Sequence, residues 1–389
     1  MKRIAFMMTH PTQYHSPWFR ALAASPEIDI HVYYGMTPSA DQQGAGFGVG
    51  FEWDVPLLDG YPHTILGNTG SGSLTDFGGV DTPEINDIVR AHKFDAWVIN
   101  GWRTRAEWRT IESCWGAKVP MFIRGDSTLV TPRSVAKRTI KWVLYRRWVP
   151  RFSCYLTVGT LNEQYYVHYG ADRQRFVPVR HFVDNDWFAQ KSDAARASAA
   201  GQRRAWGIPD GKLVLLFAGK FTNDKQPMDA VRAIDKIRQS RDDVHLVMVG
   251  DGPFRAECEA FAASRQLPVT FAGFFNQARM PNAYASADVL VVPSISETWG
   301  LVVNEAMASG IPAIVSSRVG CAPDLVSPGV TGSVFPSGDI DAFARAIGEY
   351  ASNRALAVRQ GEAARTRIQE YSLESAVRGT IRAAESFAS

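Results

Sequence analysis

Short runs of apolar residues alternate with longer stretches of helical periodicity along most of the 389-residue chain. Ten of these runs are nearly continuous in apolar character, which is typical of parallel strands covered on both faces. The predicted strands cover residues 4–8, 30–34, 96–99, 121–124, 155–158, 213–218, 245–249, 269–271, 289–292 and 313–316. Strands separated by helices in this order predict an α/β fold with two doubly wound, Rossmann-like halves.

A change in composition marks the join between the two halves. After Asn185 the chain becomes rich in small and charged residues through 194–204, and a new strand is predicted from Leu213. We therefore predict a first domain over residues 1–184, a second over residues 185–370 and a C-terminal helix over residues 371–389, able to pack back on the first domain. Two glycine-rich segments, 44–50 and 67–79, are expected to form mobile surface loops.

The composition is that of an ordinary globular protein, with 46% hydrophobic and 21% charged residues, and a net charge of +3 is too small to indicate nucleic-acid binding. The four cysteines are scattered without metal-ligand spacing, so reduced thiols are expected. The N-terminus runs straight into a predicted strand without the apolar core of a signal peptide, and no apolar run approaches the ~20 residues that span a bilayer. These features predict a cytoplasmic protein.

Residues 293–312, PSISETWGLVVNEAMASGIP, place polar and acidic side chains where a predicted buried strand ends and a helix begins. Ligands in open α/β sheets bind beyond the carboxyl ends of the strands, and a helix N-terminus suits a phosphate. Glu297 is expected in the loop and Glu305 two turns into the helix, so that both carboxylates could hold sugar and ribose hydroxyls. The alternative is that Glu297 caps the helix and Glu305 lies on the surface.

This segment resembles the signature of the family 4 retaining glycosyltransferases of the GT-B fold, in which two glutamates stand in the same frame at the same spacing. Residues 320–324 resemble the family's Gly-Gly-x-Pro-Glu turn, with Cys321 in place of the second glycine and Asp324 in place of the glutamate. The family's other donor-site motifs occur in the same order, so that the resemblance covers residues 210–335: Gly219-Lys220 with Lys225, Gly250-Asp251 and Gly273-Phe274.

The resemblance implies a GT-B fold in which an acceptor domain and a donor domain face each other across a cleft. It implies that Lys220 and Lys225 neutralise the leaving diphosphate. It also implies that Glu305 binds the ribose and that Glu297 contacts the transferred sugar without acting as a nucleophile. The remaining predicted donor-binding residues are Gly219, Gly250, Asp251, Gly273, Phe274, Thr298, Trp299, Gly300, Leu301 and Val302.

The implied activity is the retaining transfer of a sugar from a UDP- or GDP-sugar to a hydroxyl acceptor, in the synthesis of surface glycan, lipopolysaccharide or exopolysaccharide. The nucleotide sugar is a co-substrate, and no cofactor or metal is expected, because GT-B enzymes use helix dipoles and basic side chains in place of a divalent ion. Asp184 and Asp186 form an Asp-x-Asp pattern at the domain junction, which could indicate a metal site. Aspartates at such junctions commonly make turns and helix caps, so this pair is not assigned to a metal.

The loop after the first predicted strand contains His10, Gln13, Tyr14 and His15. Its position at the carboxyl end of a strand makes these residues candidates for binding acceptor hydroxyls or donor phosphate, and His10 is also a catalytic candidate. The alternative is that the loop only caps the following helix.

Polar residues also end two further strands of the first half. Asn100 closes the strand at 96–99, while Arg124 and Asp126 stand at the end of the strand at 121–124. Asn100 and Arg124 are predicted to bind the acceptor, and Asp126 is a candidate base for an acceptor hydroxyl. An Arg124–Asp126 pair that only holds the loop is an equal alternative.

The segment from Arg133 to Arg151 carries seven basic residues, no acidic residue and interleaved aromatic residues. Cationic, aromatic-rich helices dock on anionic membranes, so the segment predicts a peripheral position on the inner face of the plasma membrane and a glycan or lipid-linked glycan as acceptor. The alternative is a solvated basic helix whose tryptophans pack inward. Nucleic acid is not expected as a partner, because the chain has no recognition motif.

Three other classes of protein compete with a glycosyltransferase. A nucleotide-sugar epimerase of the GT-B fold would bind the same donor without an acceptor, and a non-catalytic module would bind the nucleotide sugar only. The presence of Lys220, Lys225 and Glu305 argues against a non-catalytic module. A nicotinamide-dependent enzyme would need Gly-x-Gly-x-x-Gly after the first strand, which instead ends in Thr9-His10-Pro11.

Overall fold

The computed structural model describes residues 1–91, 93–130 and 135–388. The chain divides into two compact units, neither of which is one continuous stretch. The first unit comprises Met1–Gln43, Val55–His181 and Leu373–Ser389, and the second comprises Gly44–Asp54 and Phe182–Ser372. The chain therefore contributes residues 44–54 to the second unit long before the main part of that unit begins.

The first unit contains a parallel sheet with helices between its strands. In chain order the elements up to residue 178 are β1 (Lys2–Met8), α1 (His15–Ala23), β2 (Ile28–Tyr34), α2 (Ala40–Gln43), β3 (His63–Ile65), α3 (Ile85–Ala91), β4 (Ala96–Asn100), α4 (Arg105–Ala117), β5 (Met121–Arg124), α5 (Val135–Trp148), β6 (Cys154–Thr157), α6 (Thr160–His168) and β7 (Phe176–Pro178). The seven strands lie in the order β3-β2-β1-β4-β5-β6-β7.

Strands β1 to β3 are added toward one edge of the sheet and β4 to β7 toward the other, so the strand order switches between β1 and β4. These two strands pair in parallel, from Ile4 opposite Ala96 to Met7 opposite Ile99. Such a switch point leaves the loops beyond the carboxyl ends of the two strands diverging to opposite sides, where α/β sheets bind ligands. The strand residues there are fully buried, as the continuous apolar pattern of a parallel strand requires.

The second unit repeats the architecture with six strands. Its elements are α7 (Asn185–Arg196), α8 (Ala199–Ala205), β8 (Leu213–Ala218), α9 (Pro227–Arg238), β9 (Val244–Val249), α10 (Arg255–Ser264), β10 (Val269–Gly273), α11 (Met280–Ala285), β11 (Val289–Val292), α12 (Leu301–Ala308), β12 (Ala313–Ser316), α13 (Ala322–Leu325), β13 (Gly332–Phe335), α14 (Ile340–Ser352) and α15 (Arg354–Ile368). The parallel sheet has the order β10-β9-β8-β11-β12-β13, with its switch point between β8 and β11.

The last helix, α16 (Leu373–Phe387), belongs to the first unit, where it packs on α1, β6 and β7. Its contact with β7 is close at Gly379, where a Cβ atom would lie 2.4 Å from the carbonyl oxygen of Pro178. Within the described residues, none of the helices combines the length and the apolar character that crossing a membrane requires.

All ten predicted strands are present, with ends that differ by at most two residues from the prediction. The prediction missed β3, β7 and β13, each of which lies at an edge of its sheet. These three strands are three or four residues long and expose part of their surface, so they lack the continuous apolar run by which a buried strand is recognised.

Candidate functional site

The turns that follow β8 and β9 in the second unit meet through their backbones. A Cβ atom on Gly250 would lie 1.9 Å from the carbonyl oxygen of Gly219, so only glycine fits there, and the amide of Gly219 donates to the carbonyl of Val249 at 3.0 Å. This contact fixes the turn from which Lys220 extends, at the carboxyl end of the strand beside the switch point.

Lys220 lies among neutral partners. Its ammonium donates to the carbonyl oxygen of Ala45 at 2.6 Å and lies 5.1 Å from the centre of the Phe47 ring. Burial, and then the positive charge of Lys225, lower the pKa of Lys220. The two lysines that the sequence assigned to the donor diphosphate are therefore close enough to repel each other.

Lys225 forms an ion pair with Glu297, whose side chain is 14% exposed. The loops that carry them are joined by a backbone hydrogen bond of 2.9 Å from the amide of Ile295 to the carbonyl of Asp224. Glu297 therefore does not simply cap α12, and the pair places one carboxylate and two ammonium groups at the ends of β8 and β11.

The loop carrying Glu297 packs closely on the turn after β12. The amide of Gly320 donates to the carbonyl of Glu297 at 2.9 Å, and a Cβ atom on Gly320 would lie 1.8 Å from the carbonyl oxygen of Thr298. Cys321, which replaces a glycine of the family turn, has φ −81° and is fully buried, so its backbone does not require glycine. Burial raises the pKa of its thiol well above the ordinary value.

Helix α12 begins directly after Gly300, whose φ of +99° favours glycine. Its first N–H groups, including those of Leu301 and Val302, have no carbonyl partner within the helix. Glu305 lies one turn into α12, rather than two as expected, and is only 4% exposed, so it is not a surface residue. The hydroxyl of Tyr284 on α11 donates to its carboxylate at 2.6 Å.

The other predicted donor-site residues take different positions around these turns. The side chain of Trp299 is buried and donates to Asn304 at 2.9 Å, so it faces the interior. The carboxylate of Asp251 accepts from the amide of Gly252 and from Arg255, both at 2.7 Å, and therefore orders its own turn. Phe274, which follows Gly273, packs edge to face on Phe47 and in a tilted arrangement on Phe51, with ring centres 5.0 and 4.6 Å apart.

In the first unit, the predicted residues at the ends of β1 and β5 meet around a buried guanidinium. Arg124 is 2% exposed, its Nη1 lies 3.4 Å from Nε2 of His15, and it stacks on the Trp18 ring at 5.2 Å. Nδ1 of His15 is 2.9 Å from the hydroxyl of Thr12. Burial lowers the pKa of Arg124 to about 10. The negative charge of Asp126 acts in the opposite direction and raises this pKa, but its effect is smaller than that of burial.

The histidines of this region are neutral at ordinary pH. Burial, and then the charge of Arg103, lower the pKa of His10 to about 4. Burial and the charge of Arg124 lower the pKa of His15 well below its usual value. The pKa of His181, which follows β7, is depressed by the same two causes. His181 and Arg103 were missed by the sequence analysis, although His181 stands at a strand end and could have been found by the rule that located His10.

The remaining first-unit candidates lie near the same edge of the sheet. Asn100 ends β4, and among the described residues its side-chain oxygen is buried without a hydrogen-bond partner. Gln13 and Tyr14 are partly buried in the turn before α1. Asp126 lies beyond β5, close enough for its charge to act on Arg124.

Residues 135–148 of the basic segment form α5, and Arg133 lies outside the described residues. The helix buries Trp148 but leaves Trp142 42% exposed, so only one of these two tryptophans packs inward. Lys141 lies 4.6 Å from the centre of the Tyr145 ring on the packed side. Ile140, Val143 and Leu144 are 61%, 49% and 52% exposed.

Asp184 caps α7, since its carboxylate accepts from the amide of Trp187 at 2.9 Å. This geometry agrees with the cap that the sequence analysis preferred to a metal ligand. In the parts of the chain that the structure describes, no group of three or more His, Cys, Asp or Glu side chains could hold a metal ion.

Comparison with known proteins connects this site to one family. Residues 199–367 match the family model of glycosyl transferases group 1. The D-inositol 3-phosphate glycosyltransferase of Streptomyces griseus is 34% identical over 230 residues, which cover 55% of this chain and 47% of that protein. The chain spans about half or less of the length of the first curated relatives that it matches.

The fold is shared with solved glycosyltransferase structures over nearly the whole chain. Anabaena HepE, solved in complex with UDP, has a TM-score of 0.75 at 16% identity and covers 98% of this chain and 99% of its own. Sucrose-phosphate synthase from Thermosynechococcus elongatus has a TM-score of 0.71 at 20% identity, covering 98% and 97%. The chain therefore has the GT-B fold, and residues 199–367 of its second unit are similar to glycosyl transferases group 1.

Proposed function

We propose that the chain is a glycosyltransferase that takes its sugar from a nucleoside-diphosphate sugar bound in the second unit. The observation that carries this proposal is the grouping of Lys220, Lys225 and Glu297 at the ends of β8 and β11, beside the N-terminus of α12. Two ammonium groups and the free N–H groups of a helix suit a diphosphate, and a carboxylate beside them suits sugar hydroxyls.

Each of these side chains has a role in the proposed reaction. Negative charge builds on the diphosphate as the glycosidic bond breaks, and Lys220 and Lys225 stabilise that charge from fixed positions. Glu297 contacts the transferred sugar and also holds Lys225 in place through their ion pair. Glu305, fixed by Tyr284, binds the ribose hydroxyls.

The finer assignment is that of a family 4 retaining enzyme acting on a hydroxyl acceptor. The acceptor attacks from the face that the diphosphate leaves, and a phosphate oxygen takes its proton, so no paired-carboxylate hydrolysis machinery is needed. UDP and GDP are the proposed carriers, and UDP is the first to test because HepE, which has the same fold, was solved with it. The proposed acceptor is a glycan or lipid-linked glycan, brought to the enzyme at an anionic membrane that α5 contacts.

The donor site is tested by titrating the protein with UDP, GDP and NAD while following its melting temperature. A nucleotide at 100 times its dissociation constant stabilises the fold by about 2.7 kcal/mol. We expect UDP or GDP to stabilise the protein and Lys220→Ala and Lys225→Ala to reduce the effect. Lys236→Ala is the matched control, because Lys236 pairs with Asp341 on the helical surface of the same unit.

The reaction is then tested with the sugar nucleotide of the carrier that binds. Transfer with an unchanged anomeric configuration, read from the proton coupling of the product, supports a retaining glycosyltransferase. Conversion of the sugar nucleotide without an acceptor would identify an epimerase. Stabilisation by NAD alone, or by none of the three nucleotides, would overturn the proposed donor site.

A further inference from the structure

Residues Gly44–Asp54, here called the inserted segment, lie on the turns that follow three strands of the second unit. At one end, the carbonyl oxygen of Ala45 accepts from Lys220 after β8, at 2.6 Å. At the other end, Asn276 donates to the carbonyl of Glu52 at 2.6 Å, and the amide of Ala278 donates to the carboxylate of Asp54 at 3.1 Å. The inserted segment is thus fixed at both ends beside the proposed donor site.

Aromatic packing holds the middle of the inserted segment. Phe51 is 8% exposed and contacts Phe274 with ring centres 4.6 Å apart, while Trp53 meets Phe51 edge to face at 5.0 Å. Phe47 contacts both Phe51 and Phe274, at 5.8 and 5.0 Å. Offset and edge-to-face aromatic contacts at these distances are attractive, so the segment packs as a small core.

The two lysines of the donor site differ in what surrounds their charge. Lys225 pairs with the carboxylate of Glu297, which offsets its charge. Lys220 is held by the carbonyl of Ala45 and the ring face of Phe47, and both of these partners are neutral. An ammonium group has three N–H donors, and Ala45 takes only one of them. Among the described residues no carboxylate pairs with Lys220, and two of its N–H donors remain for an anion.

We propose that the inserted segment is part of the donor site and positions Lys220 for the diphosphate through Phe47 and Ala45. This inference rests on the proposed function, since it concerns the same donor. Phe47 is a positioning residue that acts through Lys220, and Phe51 anchors it by packing on Phe274. The inserted segment is therefore expected to strengthen nucleotide binding rather than to compete with it.

The backbone at Gly46 agrees with such a role. Gly46 has φ +86°, and a Cβ atom there would lie 3.0 Å from Cδ of Lys220. Its carbonyl oxygen also lies so close to Gly252 that a Cβ atom on Gly252 would approach it to 2.8 Å. Both glycines allow the inserted segment to lie directly against the turns that carry Lys220 and Asp251.

The test is a set of Phe47 variants of the full chain, titrated with UDP and GDP by calorimetry. A cation held over an aromatic ring contributes enough that its loss should weaken nucleotide binding by about 3- to 30-fold in Phe47→Leu. Phe47→Tyr keeps the ring and should bind like the original protein. Val49→Ala is the matched control, because Val49 is an exposed residue of the same segment.

A double-mutant cycle with Lys220→Ala separates positioning from a general effect on folding. If Phe47 acts through Lys220, Phe47→Leu will weaken binding in the original protein and change nothing further in Lys220→Ala. Equal weakening in both backgrounds, no weakening, or tighter binding in Phe47→Leu would each overturn the proposal. If Lys220→Ala itself leaves binding unchanged, the proposed function fails instead, which distinguishes the two failures.

Discussion

At the scale of single residues, the first unit keeps several titratable groups in their neutral form. His10, His15 and His181 all have pKa values below the ordinary range, with burial as the largest cause and nearby guanidinium groups as the second. An imidazole that stays neutral can accept a proton or a hydrogen bond from an acceptor hydroxyl.

We predict that His10 does not titrate between pH 5 and pH 8. Because its pKa is about 4 in the folded protein and 6.5 for an unperturbed histidine, the unfolded chain binds the extra proton first as the pH falls. His10 therefore contributes stability above pH 6.5 that is lost between pH 6.5 and pH 4, with a slope of at most about 1.4 kcal/mol per pH unit. Imidazole chemical shifts give the pKa, and denaturant unfolding gives the slope.

Two variants provide the controls for His10. Arg103→Gln should raise the pKa of His10 but leave it below the ordinary value, because burial is the larger cause. His10→Gln should remove this part of the pH dependence of the free energy of unfolding. An imidazole of His10 that titrates near pH 6.5 in the original protein would show that it is solvated and would contradict the prediction.

At the scale of elements, the sequence predicted those strands and loops whose pattern of residues lies within one short stretch of chain. Features that depend on contacts between distant stretches were not predicted. Nine of the ten predicted strands lie inside their sheets, and the tenth, β10, is an edge strand that was still predicted. The edge strands β3, β7 and β13 were missed, because an edge strand needs no continuous apolar run. Residues 44–50 of the inserted segment were expected to form a mobile loop because of their glycines. Its three aromatic residues, Phe47, Phe51 and Trp53, were the available signal that it packs, but nothing local shows that Phe47 and Phe51 meet Phe274.

The same limit applies to the candidate site. Lys220, Lys225 and Glu297 stand in recognisable motifs, so their assignment needed only the order of the motifs along the chain. The burial of Trp299 and the hydrogen bond from Tyr284 to Glu305 depend on how separate elements pack, and no spacing encodes them. Glycines that permit close contacts, such as Gly250, become interpretable only when the neighbouring backbone is known.

Helix α5 gives a prediction at this scale, because it exposes apolar and basic side chains together. Arg138 and Arg147 are exposed near Trp142 and Leu144, a combination that suits an anionic membrane surface. Each basic residue contributes about 1 kcal/mol near the headgroups. Replacing both arginines with glutamine should therefore weaken binding to phosphatidylglycerol vesicles by roughly 30-fold in a sedimentation assay.

The apolar part of α5 is tested separately from its charge. Trp142→Ala with Leu144→Ala should weaken binding to the same vesicles even at high salt, which screens the basic residues but not the buried apolar area. Val358→Ala, at a 65% exposed apolar residue of α15, is the matched control. Binding that is equal to neutral and anionic vesicles, or no binding at all, would contradict the proposed membrane contact.

At the scale of the whole molecule, neither unit is encoded by one continuous stretch of chain. The first unit is completed by α16, which begins long after β7 ends, and the second receives the inserted segment from between α2 and β3. Cutting the chain near residue 182 would remove α16 from the first unit and the inserted segment from the second. Each unit must therefore be probed within the full chain, and Gly379 offers a way to perturb only the first.

Gly379→Ala is predicted to destabilise the first unit, although alanine ordinarily favours a helix over glycine. The new Cβ atom would lie 2.4 Å from the carbonyl oxygen of Pro178, so α16 and β7 must separate, at a cost of about 1–3 kcal/mol. Gly116→Ala in α4 is the control, because its Cβ atom meets nothing within 4 Å.

Hydrogen exchange should become roughly 5- to 150-fold faster in α1, β6, β7 and α16 of the Gly379 variant and stay unchanged in β8–β12. Faster exchange in both sheets would show that the two units unfold together, and no change in either would show that α16 adapts to the added methyl group.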